Sequence, residues 1–258
     1  MLYEEIIKNV KLAGGMINNT AASESEIYNK EGFSNFVTDY DKKVQDFLVR
    51  KMKELLPDAA FLAEENEIQQ SLGKGDCFII DPIDGTTNFI FDYKNSCISL
   101  GLAKRGEMVF GVVYNPYTEE LYTAEKGHGA YRNGNRIHCS TKGLEENIAA
   151  FGCARYNSDD TDLIFDFAKC LYLHSLGVRN GGSSAIDLCR VASGSNGIYV
   201  ELLLQPWDYA AASLIINEAG GKITQIDGSK IFLDKPCSIL AGGSICWEES
   251  LELWKSLI

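Results

Sequence analysis

The chain has 258 residues, 45% hydrophobic and 23% charged, which suits a globular protein with a substantial core. Its formal net charge of -12 argues against unaided binding to nucleic acid or to an anionic membrane. No apolar stretch reaches the roughly 18 residues of a membrane span, and Met1 to Thr20 carries acids and lysines in a helical pattern, so no signal peptide is read there.

Along the chain, Ile6, Ile7, Val10, Ala13 and Ile17 form one stripe and predict a helix over residues 2–18, weakened at Gly14-Gly15. Lys30 to Asn35 reads as a loop. Thr38 opens a second helix whose core face is Val44, Phe47, Leu48, Met52 and Leu55, and Pro57 ends it. Thr38 and Asp41 have the spacing of a capping box, which gives Asp41 a purely structural reason to be there. Phe61 to Ala63 is a short strand running into Glu64 and Glu65. Ser96 to Ile137 alternates and is broken by turn pairs, of which Asn133-Gly134 is the strongest hairpin signal; it reads as an antiparallel meander. From about Thr141 strands and helices alternate: a strand at 148–153, helices at 162–173 and 183–192, and an apolar strand at 197–204 that contains Glu201. A helix follows from Pro206 to Ala219, then strands at 222–226 and 238–241, and a last helix at 246–257. The whole is one globular unit, 1–258, of two α/β lobes, about 1–143 and 144–258. The eight cysteines show no metal-ligand or disulfide spacing and read as free thiols in a reducing cytoplasm.

The stretch Asp76 to Phe89, DCFIIDPIDGTTNF, organises the rest. Phe78 to Ile80 fits a strand buried on both faces, and Pro82 should stop its pairing. Asp81 then lies at the carboxyl end of a buried strand, where open α/β sheets bind ligands. Asp84 follows beyond a turn, and Gly85, Thr86 and Thr87 offer N–H groups and hydroxyls. Two acids, a main-chain carbonyl between them and a donor-rich turn suit a hard cation together with a phosphate. A loop using Asp-Pro and Asp-Gly only as punctuation would not need the two threonines. An aspartyl-phosphate loop needs acids one residue apart, and an EF-hand needs a closing Glu; neither pattern is met.

DPIDGTTNF resembles the signature of the inositol monophosphatase family of Mg²⁺-dependent, lithium-sensitive phosphatases. Further segments are similar to the family's other motifs. NFVTDYD matches its early motif and carries Asp41; AEEN carries Glu64. The Gly-Ser start of GGSSAIDLCRVASG matches a turn that touches the substrate ring. Glu201 followed by WDYAAASLIINEAGG matches the C-terminal signature. Lys30 corresponds to a loop lysine of several members. The resemblance implies an α/β (α+β) fold, a layered αβαβα sandwich of the inositol monophosphatase and fructose-1,6-bisphosphatase type. It implies about two to three Mg²⁺ ions held by Glu64, Asp81, the Ile83 carbonyl, Asp84 and Asp208, with Asp41 facing the weakest of them. Thr86 would orient and help deprotonate the attacking water, with Asp41 as acceptor and Glu64 close by. Asp84, Gly85, Thr86, Gly182, Ser183, Ser184, Glu201 and Asp208 would contact the substrate.

The activity so implied is hydrolysis of a small phosphorylated polyol, inositol monophosphate above all, by a cytoplasmic homodimer with no direct nucleic-acid or membrane partner. Alternatives within the superfamily are fructose 1,6-bisphosphate, adenosine 3′,5′-bisphosphate, histidinol phosphate and NADP. A bacterial member can also bind the transcription machinery. Leu203, Ser184 and Ser213 depart from common family residues, and the first two bear on substrate choice.

Overall fold

The computed structural model describes residues 1–18, 27–29, 36–65, 72–73, 75–153 and 161–258. Lys30 to Asn35 lies outside the described residues. In chain order the elements begin with α1 (Leu2–Asn18), the antiparallel pair β1 (Ile27–Asn29) and β2 (Phe36–Thr38), α2 (Asp39–Leu55), β3 (Ala60–Ala63), β4 (Asp76–Asp84) and α3 (Thr86–Ile90). The meander follows as β5 (Cys97–Lys104), β6 (Glu107–Asn115), β7 (Glu120–Glu125), β8 (Gly129–Arg132) and β9 (Asn135–Ile137). After a 3₁₀ turn come β10 (Ala149–Phe151), α4 (Thr161–His174), β11 (Val178–Arg179), α5 (Ser184–Ala192), β12 (Ile198–Leu204), α6 (Pro206–Glu218), β13 (Lys222–Thr224), β14 (Cys237–Gly242) and α7 (Ser244–Leu257).

The strands form a seven-stranded sheet in sequential order from β3 to β9 and a five-stranded sheet in the order β11-β10-β12-β14-β13. Three separate apolar layers hold the stack together. Ile6, Val10, Leu48 and Met52 of α1 and α2 meet Phe78, Ile80 and Phe110 on the outer face of the large sheet. Between the sheets, α5 and α6 pack against Cys77, Ile79 and Tyr122 on one side and Tyr199 and Ile239 on the other. Ile164, Phe167 and Trp254 of α4 and α7 close over Ile198, Val200 and Leu240. The order is helix, sheet, helix, sheet, helix, the layered sandwich expected above.

Helix α1 runs unbroken through Gly14-Gly15, contrary to the weakening expected there. The reason is packing: a Cβ at Gly14 would lie 2.6 Å from the Tyr114 ring, so only glycine lets the helix reach β6. Helix α6 sits even closer to the sheet. Gly101 and Gly111 face each other across β5 and β6, and a Cβ at Gly111 would lie 2.5 Å from the Ala211 carbonyl oxygen. The Ser99 hydroxyl also donates to the Trp207 carbonyl at 3.1 Å, which pins the first turn of α6 to β5.

Pairing does not stop at Pro82. Strand β4 continues to Asp84 through a bulge: Asp81 pairs with Ser99 and Asp84 with Cys97, so Pro82 and Ile83 stand opposite Ile98 alone. The absent N–H of Pro82 falls where the ladder is already interrupted, which is how a central strand tolerates it. The bulge has a second effect. In a regular strand, residues three apart point to opposite faces. Here the pairing partners Cys97 and Ser99 are two apart and share a face, so Asp81 and Asp84 do too. Ile83 turns instead into the apolar layer under α1 and α2.

Candidate active site

Asp81, Asp84 and Asp208 each bring a carboxylate oxygen within 4.8 Å of the others. Asp81 and Asp84 share a face because of the bulge, and Asp208 comes from the first turn of α6, which lies on that face. Each is oriented by its own backbone environment. Asp81 accepts from the Ile83 N–H at 3.0 Å, and Asp208 accepts from the Gln205 N–H at 2.8 Å in a capping box, with Gln205 rather than Asp208 at the N-cap. Asp84 accepts from the Ser183 hydroxyl and from the Ala185 N–H at 2.9 Å, both at the start of α5.

Burial, and then the charges of Glu64, Asp84 and Asp208, hold Asp81 well above the usual carboxylate range. Asp208 is raised by burial and by the charges of Asp84 and Glu64. Burial pushes Asp84 up to about 6 against the opposing pull of its bonds to Ser183 and Ala185. Three clustered carboxylates that resist ionisation, with oxygen as the donor atom, match a hard divalent cation, whose charge relieves the repulsion. The Cys97 thiol lies 3.7 Å from Asp84, but burial raises its pKa strongly, so it stays a protonated donor and does not compete as a soft ligand.

Asp41 is wholly buried and serves two neighbours at once. Its Oδ2 accepts from the Thr38 N–H at 2.7 Å and the Thr38 hydroxyl at 2.6 Å, the capping box read from the sequence. Its Oδ1 lies 3.3 Å from the Thr86 hydroxyl, which is also 3.1 Å from the Ile83 carbonyl. Burial pushes Asp41 up to about 7. Gly85 has a φ of 87°, the left-handed turn that lets β4 pass directly into α3. That short helix was not anticipated; Thr86 and Thr87 read only as a turn. Glu64 is half-buried at the end of β3, outside the group of three but close enough to raise Asp41, Asp81, Asp84 and Asp208.

On the facing wall, Glu201 is 5% exposed. Its Oε2 accepts from the Tyr199 hydroxyl at 2.5 Å and the Ser184 hydroxyl at 3.0 Å, and burial pushes it up to about 7. Tyr199 had been read only as part of the apolar strand; nothing in the pattern marks its hydroxyl as a partner. A Cβ at Gly152 would lie 2.1 Å from Glu201 Oε2, so the space beside the carboxylate exists because residue 152 is glycine. Ser183 caps α5 through the Ile186 N–H and donates to Asp84, while Ser184 turns to Glu201. Gly182, with a φ of 71°, lies between the two walls. Lys30 falls outside the described residues.

The layered αβαβα sandwich thus brings together an acidic cluster that could hold a metal ion. The profile of the inositol monophosphatase family matches residues 2–255. An inositol-1-monophosphatase of Bacillus subtilis is 34% identical over 243 residues, covering 93% of this chain and 91% of that one. The extragenic suppressor protein suhB of Bartonella henselae superposes with a TM-score of 0.92 at 30% identity, covering 99% of both chains. An IMPase of Thermotoga maritima superposes with a TM-score of 0.88 at 30% identity, covering 97% of this chain and 95% of that one. The chain belongs to the inositol monophosphatase family and is, by that membership, a phosphoric monoester hydrolase.

Proposed function

We propose that the protein hydrolyses the phosphate ester of a small polyol, inositol monophosphate in the first place, with Mg²⁺ as cofactor. The observation that carries this reading is the joint placement of Asp81, Asp84 and Asp208 within 4.8 Å of one another, beside the Asp41–Thr86 pair. Glu64, Asp81, the Ile83 carbonyl, Asp84 and Asp208 would hold Mg²⁺, with Asp41 nearest the weakest site. Bound Mg²⁺ supplies positive charge against the phosphate and raises the acidity of water beside it. Thr86 would accept a proton from the attacking water while passing its own to Asp41 Oδ1. Asp41 Oδ1, 3.3 Å from the Thr86 hydroxyl, is within reach of that proton. The N–H groups of Gly85 and Thr86 would steady phosphate oxygens.

Glu201 would take substrate hydroxyls on its second oxygen, its first being occupied by Tyr199 and Ser184. Residues to about 143 would form the metal and phosphate lobe and residues 144–258 the substrate lobe, with Asp208 contributed across their junction. The homodimer and the cytoplasmic location belong to the same reading, as does inhibition by lithium. Among the described residues, no helix is long and apolar enough to cross a membrane. A second, non-catalytic role would rest on the likeness to the suhB protein alone, and the complete acidic constellation favours hydrolysis. The test is phosphate release from a panel of polyol, nucleotide and aryl phosphates, in EDTA and after Mg²⁺ is restored. Turnover undiminished in excess EDTA would overturn the reading.

A further inference from the structure

The turn Gly181 to Ser184 carries two of the hydroxyls that reach the site, one to Asp84 and one to Glu201. It is a stretch of backbone between β11 and α5, begins with two glycines, and has no ladder to hold it. What holds it is a closed ring of side-chain bonds. The Gly181 N–H donates to Asp187 Oδ2 at 2.9 Å, and the Gly181 carbonyl accepts from Asn95 Nδ2 at 2.7 Å and Asn88 Nδ2 at 2.8 Å. Arg190 completes the ring, donating to Asp187 Oδ1 at 3.0 Å and to Asn95 Oδ1 at 2.9 Å. The second hydrogen of the Asn88 amide goes to the Asn95 carbonyl at 2.8 Å. Asn88 lies in α3, one turn beyond Gly85, so the ring ties the turn to the phosphate loop.

The glycines fit this arrangement. A Cβ at Gly181 would lie 2.5 Å from both Asp187 oxygens, and a Cβ at Gly85 would lie 3.0 Å from the Gly182 carbonyl oxygen and 3.1 Å from that of Asn95. The two backbones therefore approach as closely as glycine permits. Asp187 is 2% exposed, and such a buried carboxylate persists only where a cation and N–H donors meet it, which Arg190 and Gly181 do. None of the ring side chains belongs to the acidic cluster.

We propose that Asp187, Arg190 and Asn95 are positioning residues: they lock the Gly181–Ser184 turn against the Gly85–Asn88 loop and so set the span between the phosphate-binding and polyol-binding walls. The part that concerns polyol binding rests on the function proposed above. Misplacement of a binding wall by an ångström costs a substrate that spans both walls far more than one that fills only the first. Arg190→Ala opens the ring at two bonds. Arg190→Lys keeps a positive charge beside Asp187 but lacks the forked reach to Asn95. Asn95→Ala breaks the ring at the next corner, removing the bonds to Arg190 and to the Gly181 carbonyl.

Two measurements test this. In the first, amide hydrogen exchange of metal-free protein is followed at Gly181. Arg190→Ala and Asn95→Ala should each speed it by about tenfold or more beyond the change at amides of β5 and β6, which report any global loss of stability, Arg190→Lys by less, and the double variant by no more than the worse single one. Unchanged exchange, or additive effects of the two alanines, overturns the clamp. This readout stands even if the protein has no phosphatase activity, an outcome that would instead defeat the proposed function. In the second, kcat/KM is compared for inositol 1-phosphate and an aryl phosphate with Mg²⁺. The ratio should fall by about tenfold in Arg190→Ala, mainly through KM for the polyol substrate, and recover in part in Arg190→Lys. Equal losses on the two substrates overturn the role in setting the span.

Discussion

Replacing Glu201 by glutamine should change how the stability of the metal-free protein depends on pH, and by a calculable amount. Burial pushes Glu201 from 4.5 to about 7, against the bonds from Tyr199 and Ser184, with the charges of Asp84 and Asp187 adding to the rise. A carboxyl group raised in the folded state stabilises the fold while protonated. Its contribution is fully present below about pH 4.5 and is lost as pH rises through about 7. That displacement corresponds to about 3 kcal/mol, most of which falls between about pH 5 and about pH 8. Glutamine keeps an acceptor oxygen for the two hydroxyls and has no charge to bury. The assay is urea unfolding in EDTA at both pH values. The parent should lose more stability than Glu201→Gln across that interval, by about 2 to 3 kcal/mol, and the release of Asp208 from the charge of Glu201 adds to the difference in the same direction. Parallel pH profiles would refute the reasoning, since they would mean that Glu201 is ionised at no cost in the folded chain. In kcat/KM the same variant should lose far more on inositol 1-phosphate than on an aryl phosphate, because a group placed to bond a hydroxyl discriminates only among substrates that carry one.

Mg²⁺ should raise the melting temperature of the parent through binding to the folded state, and Asp81→Asn should remove most of that rise while making the metal-free protein more stable near neutral pH. A mutant that still gains the full increment would remove Asp81 from the ligand set. Thr86→Ala should lower kcat by roughly 10²–10⁴-fold with little change in KM, and a kcat within about threefold of the parent would make the hydroxyl structural. Gly111→Ala should destabilise the fold by about 1–3 kcal/mol, read as a lower urea midpoint at constant slope, because its Cβ meets the Ala211 carbonyl of α6 at 2.5 Å.

What the sequence made legible is what local rules govern. The Thr38–Asp41 capping box, the Asn133-Gly134 hairpin, the two-faced burial of Phe78 to Ile80 and the Pro206 start of α6 all follow from neighbours within a few residues. Asp81 and Asp84 stood out in the same way, from the strand and turn residues around them, whereas Asp41, Glu64, Glu201 and Asp208 were marked by their likeness to the family's motifs. Their geometry was not legible. Whether Pro82 ends β4 or bulges it depends on the register with β5, which no residue of β4 fixes alone. Whether Gly14 breaks α1 or admits it depends on the ring of Tyr114. That Glu201 is buried follows only from the packing of Tyr199, Gly152 and Ser184 around it. The ring through Asn95, Asp187 and Arg190 joins segments about ninety residues apart, and no periodicity or spacing carries it.

The bulge in β4 makes the acidic cluster sensitive to chain length in a strand that supplies none of its carboxylates. Asp81 and Asp84 look the same way only because β4 spends one residue more than β5 between the pairs Asp81–Ser99 and Asp84–Cys97. One residue inserted between Cys97 and Ser99 would equalise the count, heal the ladder and turn Asp84 toward the apolar layer that Ile83 now fills. The sheet would become more regular and the site would be dismantled, without any acid having been altered. Side-chain exchange and insertion at Ile98 are therefore opposite kinds of change: the first is a packing adjustment under α1 and α2, the second reverses the facing of an acid at the centre of the site.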